Sequence, residues 1–233
     1  VKRLDGQIER GRRLEAIRQK DRSYTLHFSN GPDVPADILI LAIPFSTLRH
    51  VNLDRVALTR TKRDAIKELG YGTNSKLLLD VSSRVWRQQR RAGYLFSERV
   101  QNGWDNSRGQ KSKGGAGGYT VFVGGDPGKD LNERQADLYL DNLEGAFKGF
   151  RNVHTRTQVV NWSEDPLSRA SYSCYRVGQW TRFSGVEFEP DGNMHFCGEH
   201  CSGDYQGFMN GGAETGARVA ADVLPKVRAG ARR

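Results

Sequence analysis

Cysteine is scarce in these 233 residues: Cys174, Cys197 and Cys201 are the whole supply. An odd, small number excludes a dense disulfide framework and favours a reducing compartment. Long apolar runs are missing too, and none approaches the roughly 20 residues needed to cross a bilayer. The opening "VKRLDGQIER" is basic but has no apolar stretch of a secretion signal. A cytoplasmic protein without a membrane segment is therefore expected, although a chain that starts at Val1 leaves a leader open. Metal spacing is also lacking. "CGEHC" (197–201) sets His200 between two thiols, but only Cys174 remains to complete the four ligands a structural zinc wants, so no metal site is expected.

Positive charge is plentiful. Lys and Arg number 36 against 27 acids, a formal net charge of +9, which favours anionic partners through the long-range field. The basic residues are scattered, with small clusters at "RGRR" (10–13), "RQQRR" (87–91) and "RAGARR" (228–233). No zinc-finger spacing, RNA-recognition signature or long basic helix accompanies them, so solvated surface is the reading and a nucleic-acid partner is not expected.

The pattern of apolar residues predicts an α/β organisation. "LEAI" and "YTLHF" flank the polar turn "RQKDRS" as a hairpin. "ILILAI" (38–43) is a continuous apolar run closed by Pro44, as in a parallel strand buried on both faces. A helix is predicted over 59–69 with Ala65, Ile66 and Leu69 inward, and strands over 74–82 and 119–125. The Gly-, Ser- and Lys-rich stretch 103–118 reads as a loop and 132–150 as one long helix. A strand follows over 155–162, then an aromatic-rich irregular segment, a short strand at 193–197 and a closing helix over 207–224. The ends read as α/β and the middle as strands followed by a helix, which suggests one domain split by an inserted second one.

The closing helix carries Gly207, Gly211, Gly212, Ala213 and Gly216 near its start. Glycine inside a helix costs about 1 kcal/mol against alanine, so a neighbouring backbone or a flat ligand must come close. Pattern alone leaves these two readings level.

"NWSEDPLSRASYSCY" (161–175) followed by "MHFCGEHCSGDYQGFMNGGAETGARVAADVL" (194–224) closely resembles the C-terminal half of flavin-containing amine oxidases: the monoamine oxidase, polyamine oxidase and L-amino-acid oxidase superfamily, with bacterial flavin monoamine oxidases the nearest. "ADILILAIP" (36–44) resembles the family strand that returns to the FAD domain. "GYGTNSKLLLDVSSRVW" (70–86) resembles the substrate-domain strand that carries the family's lysine. The resemblance implies a partial FAD-binding domain of Rossmann-like, glutathione-reductase type over 1–54 and 189–233, with a mixed-sheet, α+β substrate domain over 55–188.

The same resemblance assigns roles. Gly207, Phe208 and Met209 would meet the flavin at the start of the last helix, where free N–H groups and the positive dipole end favour the charge of the reduced ring. Glu199 would contact the ribityl–phosphate region, or cap its own turn, or both. Leu14 would meet adenine through its backbone, and Trp162 would pack by the flavin. Tyr172 and Phe208 fall on the two positions of the family's aromatic cage, whose ring faces suit an amine nitrogen. Phe208 stands where monoamine oxidases often have tyrosine. Lys76 matches the lysine that reaches flavin N5 through a water, whereas strand alternation alone would send it to solvent. Ser171 holds the place of the cysteine that binds flavin covalently in mitochondrial monoamine oxidases, so FAD is expected to be non-covalent. Trp86 and the stretch 103–107 are further candidates for the substrate cavity.

The reaction so implied is hydride transfer from the amine α-carbon to flavin N5, hydrolysis of the imine, and reoxidation by O2 to hydrogen peroxide. Primary amines, polyamines and amino acids all stay open as substrates. One family element is absent. "GYGTNS" (70–75) lacks the third glycine of G-x-G-x-x-G, and "GGAGGYTVF" (114–122) precedes a strand instead of opening a helix. The chain therefore reads as about the second half of an oxidase, from a split gene, a processed precursor or a trimmed product. Alone it is expected to bind FAD poorly and to turn over little, the missing N-terminal half being its chief partner. A homo-oligomer stays open, as does a non-catalytic remnant or binding module that acts through its basic surface.

Overall fold

The expected hairpin forms from β1 (Leu14–Lys20) and β2 (Ser23–Phe28), paired antiparallel from Lys20↔Ser23 back to Leu14↔Phe28. Residues 4–110 and 115–230 are described in this computed structural model. Next along the chain come β3 (Val34–Ala36), β4 (Leu39–Leu41), α1 (Phe45–Leu48), β5 (Asn52–Arg55), α2 (Arg60–Glu68) and β6 (Ser75–Val81). The middle adds α3 (Val85–Gln88), β7 (Leu95–Ser97), β8 (Gln101–Asp105), β9 (Gly117–Val123), α4 (Gly125–Lys129), α5 (Ala136–Ala146), α6 (Phe150–Val153) and β10 (His154–Asn161). The chain closes with α7 (Gln179–Phe183), β11 (Met194–Phe196) and α8 (Met209–Gly230). Among the described residues no helix is long and apolar enough to cross a membrane.

Two units result. One consists of the chain up to Tyr71 and from Tyr172 on; the other is Gly72–Ser171. The sequence placed the crossings at 54/55 and 188/189. The difference arises because α2 and α7 carry Ala65, Ile66 and Phe183 into the same core as Ile17, Phe45, Leu48 and Phe196.

In the first unit, β3-β2-β1-β5 form one sheet and β4 pairs in parallel with β11, Leu39↔Met194 to Leu41↔Phe196. Within the run "ILILAI", Leu39–Leu41 is a parallel strand as expected, but it is not buried on both faces: Ile40, between buried Leu39 and Leu41, is exposed. Behind β11, Val219 and Val223 of α8 close a small second cluster on Cys197.

In the second unit the order is β10-β6-β9-β8-β7. Alternation along β6 turns Ser75, Leu77, Leu79 and Val81 inward, where Leu77 and Leu79 join Tyr119, Val121, Leu143 and Phe150 in the core. The stretch 103–118 is not wholly a loop: β8 takes Gly103, Trp104 and Asp105 into the sheet opposite Val121, Thr120 and Tyr119. Glycine disguised it. A Cβ at Gly103 would stand 2.8 Å from the Tyr119 ring, so the strand needs glycine there. The helix expected over 132–150 starts as a 3-10 turn, Glu133–Gln135, ends at Ala146, and the chain turns through Phe147 and Gly149 (φ +87°) into α6. The Glu144 carboxylate accepts the N–H groups of Gly149 (2.7 Å) and Arg151 (2.9 Å) beyond the break.

Candidate functional site

At the end of β11 the chain turns through Gly198, φ +138°, into a single 3-10 turn, Glu199–Cys201. The buried hydroxyl of Thr215, nearly two turns into α8, accepts from Gly198 N and donates to its carbonyl, both at 3.0 Å. The helix start is thereby fixed against the strand end. Ser202 Oγ donates to Glu214 at 2.6 Å and accepts from Tyr205 N at 2.9 Å, which fixes the intervening turn.

The glycines of α8 now separate by cause. At Gly211 a Cβ would lie 2.4 Å from Tyr205 O and 2.8 Å from Ser202 Cβ, so close backbone packing requires it. Gly207 has φ +84°. Gly216 has open space. The packing explanation accounts for Gly211, and the ligand explanation is left with the exposed first turn.

That turn carries large apolar side chains outward. Phe208 is 68% and Met209 93% exposed, with Tyr172 and Tyr205 also on the surface. The ring of Tyr172 comes within 3.7 Å of where a Gly207 Cβ would stand, so the structure brings Tyr172, Gly207 and Glu199 together, with Phe208 next in the chain. Gly207 N donates to Glu199 Oε2 at 2.7 Å, and Phe208 N donates to Tyr205 O at 3.1 Å. Of the three residues expected at the flavin, only Met209 thus keeps an N–H without an acceptor among the described residues; that of Asn210 is also without one. Both sit at the positive end of a 22-residue helix.

Glu199 is turned to the protein itself. Besides Gly207 N it accepts from Ser173 N (2.9 Å) and Ser173 Oγ (2.8 Å). Leu14 lies at the start of β1 and packs its side chain on the first core.

Lys76 and Trp162 belong to the second unit. Lys76 is half-buried on the sheet face opposite the core, paired with Val160 of β10. Its ammonium lies 5.9 Å from the centroid of Phe122, with no carboxylate partner among the described residues. Trp162 directly follows β10, whose last residue Asn161 pairs with Ser75, so it lies at the Lys76 end of these strands. Ser171 Oγ donates to Asn74 Oδ1 (2.9 Å) and accepts from Asn74 N (3.2 Å), tying down the chain that enters the Lys76 strand.

Trp86 departs from its expected place in a cavity. It is fully buried against Tyr119, Phe147 and Phe150, and its indole donates to Asp105 at 3.0 Å. Strand alternation divides the stretch 103–107 as well: Gly103 and Asp105 face this core, while Trp104 lies opposite, 6.1 Å from the Phe122 ring.

Sequence reading missed a buried polar group in the first unit. Lys62 Nζ donates to Val186 O and, at 3.0 Å, to Glu187 O, and stands 4.0 Å over the Phe196 ring. Burial pulls its pKa down to about 8, against the opposing pull of Cys201, Asp191 and Glu187. The signal was in the spacing, since Lys62 precedes the inward Ala65 and Ile66 by three and four residues. Tyr175 donates to Glu187, whose carboxyl is pushed up by burial.

Two curated relatives of similar sequence are each about twice as long as this chain. The Bacillus subtilis (strain 168) protein YobN, named for L-amino-acid oxidase, is 29% identical over 200 residues, 81% of this chain and 41% of that one. Polyamine oxidase 4 of Oryza sativa subsp. japonica is 24% identical over 229 residues, 94% of this chain and 46% of that one. Among solved structures, a triple mutant of putrescine oxidase superposes with a TM-score of 0.86 at 19% identity, covering 97% of this chain and 51% of that one. Cyclohexylamine oxidase from Brevibacterium oxydans IH-35A gives 0.81 at 19%, covering 92% and 48%. The chain thus spans about half the length of the relatives it matches. The family described as flavin containing amine oxidoreductase matches residues 2–224, and this chain belongs to it.

Proposed function

We propose that this chain is the substrate-side half of an FAD-dependent amine oxidase, with the first unit as a partial FAD-binding domain and the second as an inserted substrate domain. The carrying observation is the exposed aromatic pair, Tyr172 and Phe208, at the start of α8. Exposed aromatic surface of this kind marks a site for an apolar or flat ligand. The open N–H groups of Met209 and Asn210 fit an electron-rich carbonyl edge there, so the residues present suit a flavin. Bound FAD would supply the two-electron acceptor, with O2 taking the electrons onward.

The protein groups have separable tasks in this reading. Tyr172 and Phe208 flank the amine and exclude water from the reacting carbon, their ring faces favouring the nitrogen. Met209 N–H and Asn210 N–H stabilise negative charge on the reduced ring. Lys76, with no carboxylate partner among the described residues, would order a water. By the same family likeness, Trp162 would pack by the flavin and Leu14 would meet the adenine end. Ser171, engaged with Asn74, offers no thiol, so the cofactor is held non-covalently. The pyrophosphate needs a G-x-G-x-x-G unit, which we assign to sequence outside these residues, as the length of the relatives supports. A cytoplasmic protein remains part of this reading.

A basic binding surface is the competing function. Two of the three clusters that suggested it are engaged in part: Arg12 bonds to Glu9 and Pro32 O, Arg13 to Glu15, Arg87 to Asp105 and Arg91 to Ala146 O. Titrating FAD into the chain, with and without a Gly-rich N-terminal unit from a relative, separates the readings. A shifted flavin band and peroxide on adding an amine, both only with the second component, are expected. Neither signal under any of benzylamine, putrescine or an L-amino acid would remove the oxidase reading.

A further inference from the structure

The Glu199 carboxylate accepts three hydrogen bonds from two segments that are remote in sequence. Ser173 N and Ser173 Oγ come from the segment that carries Tyr172, and Gly207 N comes from the turn that carries Phe208. A carboxylate offers about four acceptor sites, so little capacity is left for a ligand. Ser173 is buried and forms an antiparallel bridge with Tyr71, whose hydroxyl accepts Phe45 N at 2.9 Å. On the other side, the turn is held to α8 through Ser202 and Glu214. Each segment is thus anchored in its own surroundings, and Glu199 joins the two.

We propose that Glu199 is a positioning residue: it clamps the Tyr172–Ser173 segment to the Gly207 turn and so sets the separation of the Tyr172 and Phe208 rings. Its bearing on amine oxidation rests on the function proposed above; the clamp itself does not. Charge-assisted bonds suit the task, being shorter and stronger than neutral ones. Glutamine cannot replace the carboxylate here. One of its two terminal atoms is an amide nitrogen, which cannot accept, so whichever way it turns at least one backbone N–H loses its partner.

The test is nuclear magnetic resonance on the full chain. In the wild type, the amides of Ser173 and Gly207 exchange slowly, and the Tyr172 ring displaces a Gly207 α-proton from its ordinary shift. Tyr172→Leu removes the displacement and identifies its source. Glu199→Ala is expected to abolish it and to speed both amides by about ten- to a hundredfold, leaving Ile17 of β1 slow. Should Ile17 quicken as well, Glu199→Gln decides, since it must free one amide with the other still protected. Slow amides and an unchanged Gly207 shift in either folded variant would overturn the clamp. In FAD-loaded protein, Glu199→Gln should lower kcat with FAD affinity kept; equal loss of FAD affinity would return Glu199 to a cofactor role. A wild type with an intact clamp but no amine-dependent peroxide would sink the oxidase reading and leave the clamp standing.

Discussion

The ammonium of Lys62 stands 4.0 Å over the ring of Phe196, inside the first core, with its protons on the carbonyls of Val186 and Glu187. Burial lowers its pKa from 10.5 to about 8. Between these values the unfolded chain binds the proton and the folded chain does not, so the Lys62 contribution to stability rises with pH across that window. Urea unfolding of wild type and Lys62→Met from pH 7 to 10 should show the wild type gaining on the variant as pH increases. A pH-independent difference would contradict this.

His200 gives the acid counterpart. Its ring is buried on Phe45 at 4.5 Å, Nε2 has no hydrogen-bond partner among the described residues, and burial, then the charge of Lys62, pulls its pKa down to about 4. The unfolded chain takes up this proton first, so stability is lost as pH falls from about 6.5. Melting temperatures between pH 7 and 4 should drop less steeply in His200→Phe than in the wild type.

In the second unit, Asp105 accepts from Trp86, Ser107 and Arg87 in a buried setting. Asp105→Ala strands the indole N–H and the Ser107 amide, and should cost about 2–5 kcal/mol in urea unfolding. A loss below about 1 kcal/mol would show that water replaces the carboxylate.

Two glycines of α8 should respond in opposite directions. Gly211→Ala meets Tyr205 O and Ser202 Cβ and should lower stability by about 1–3 kcal/mol. Gly216→Ala has open space and should raise it by up to about 1 kcal/mol through helix propensity. Thermal unfolding followed by circular dichroism reads both.

Much of this architecture was legible in the sequence because its signals are local. The unbroken run "ILILAI" specified a parallel strand, and alternation in "SKLLLDV" specified a one-sided one. What escaped depends on partners far along the chain. Gly103 reads as loop until Tyr119 is seen to need the space of its side chain. Trp86 reads as a cavity wall until Asp105 is found at its indole nitrogen. The candidate site residues were named from motif resemblance, whereas the Glu199 bonds to Ser173 were not foreseen, since they span 26 positions. Lys62 was missed by assigning its helix face from apolar residues alone.

Amide hydrogen exchange is the sharpest test for a flavin at the first turn of α8. With the Gly-rich unit present, FAD should slow exchange at Met209 and Asn210, and replacement of Phe208 by alanine should weaken that protection. Flavin that binds, by its own absorbance, while exchange at residues 207–212 stays unchanged would contradict the account.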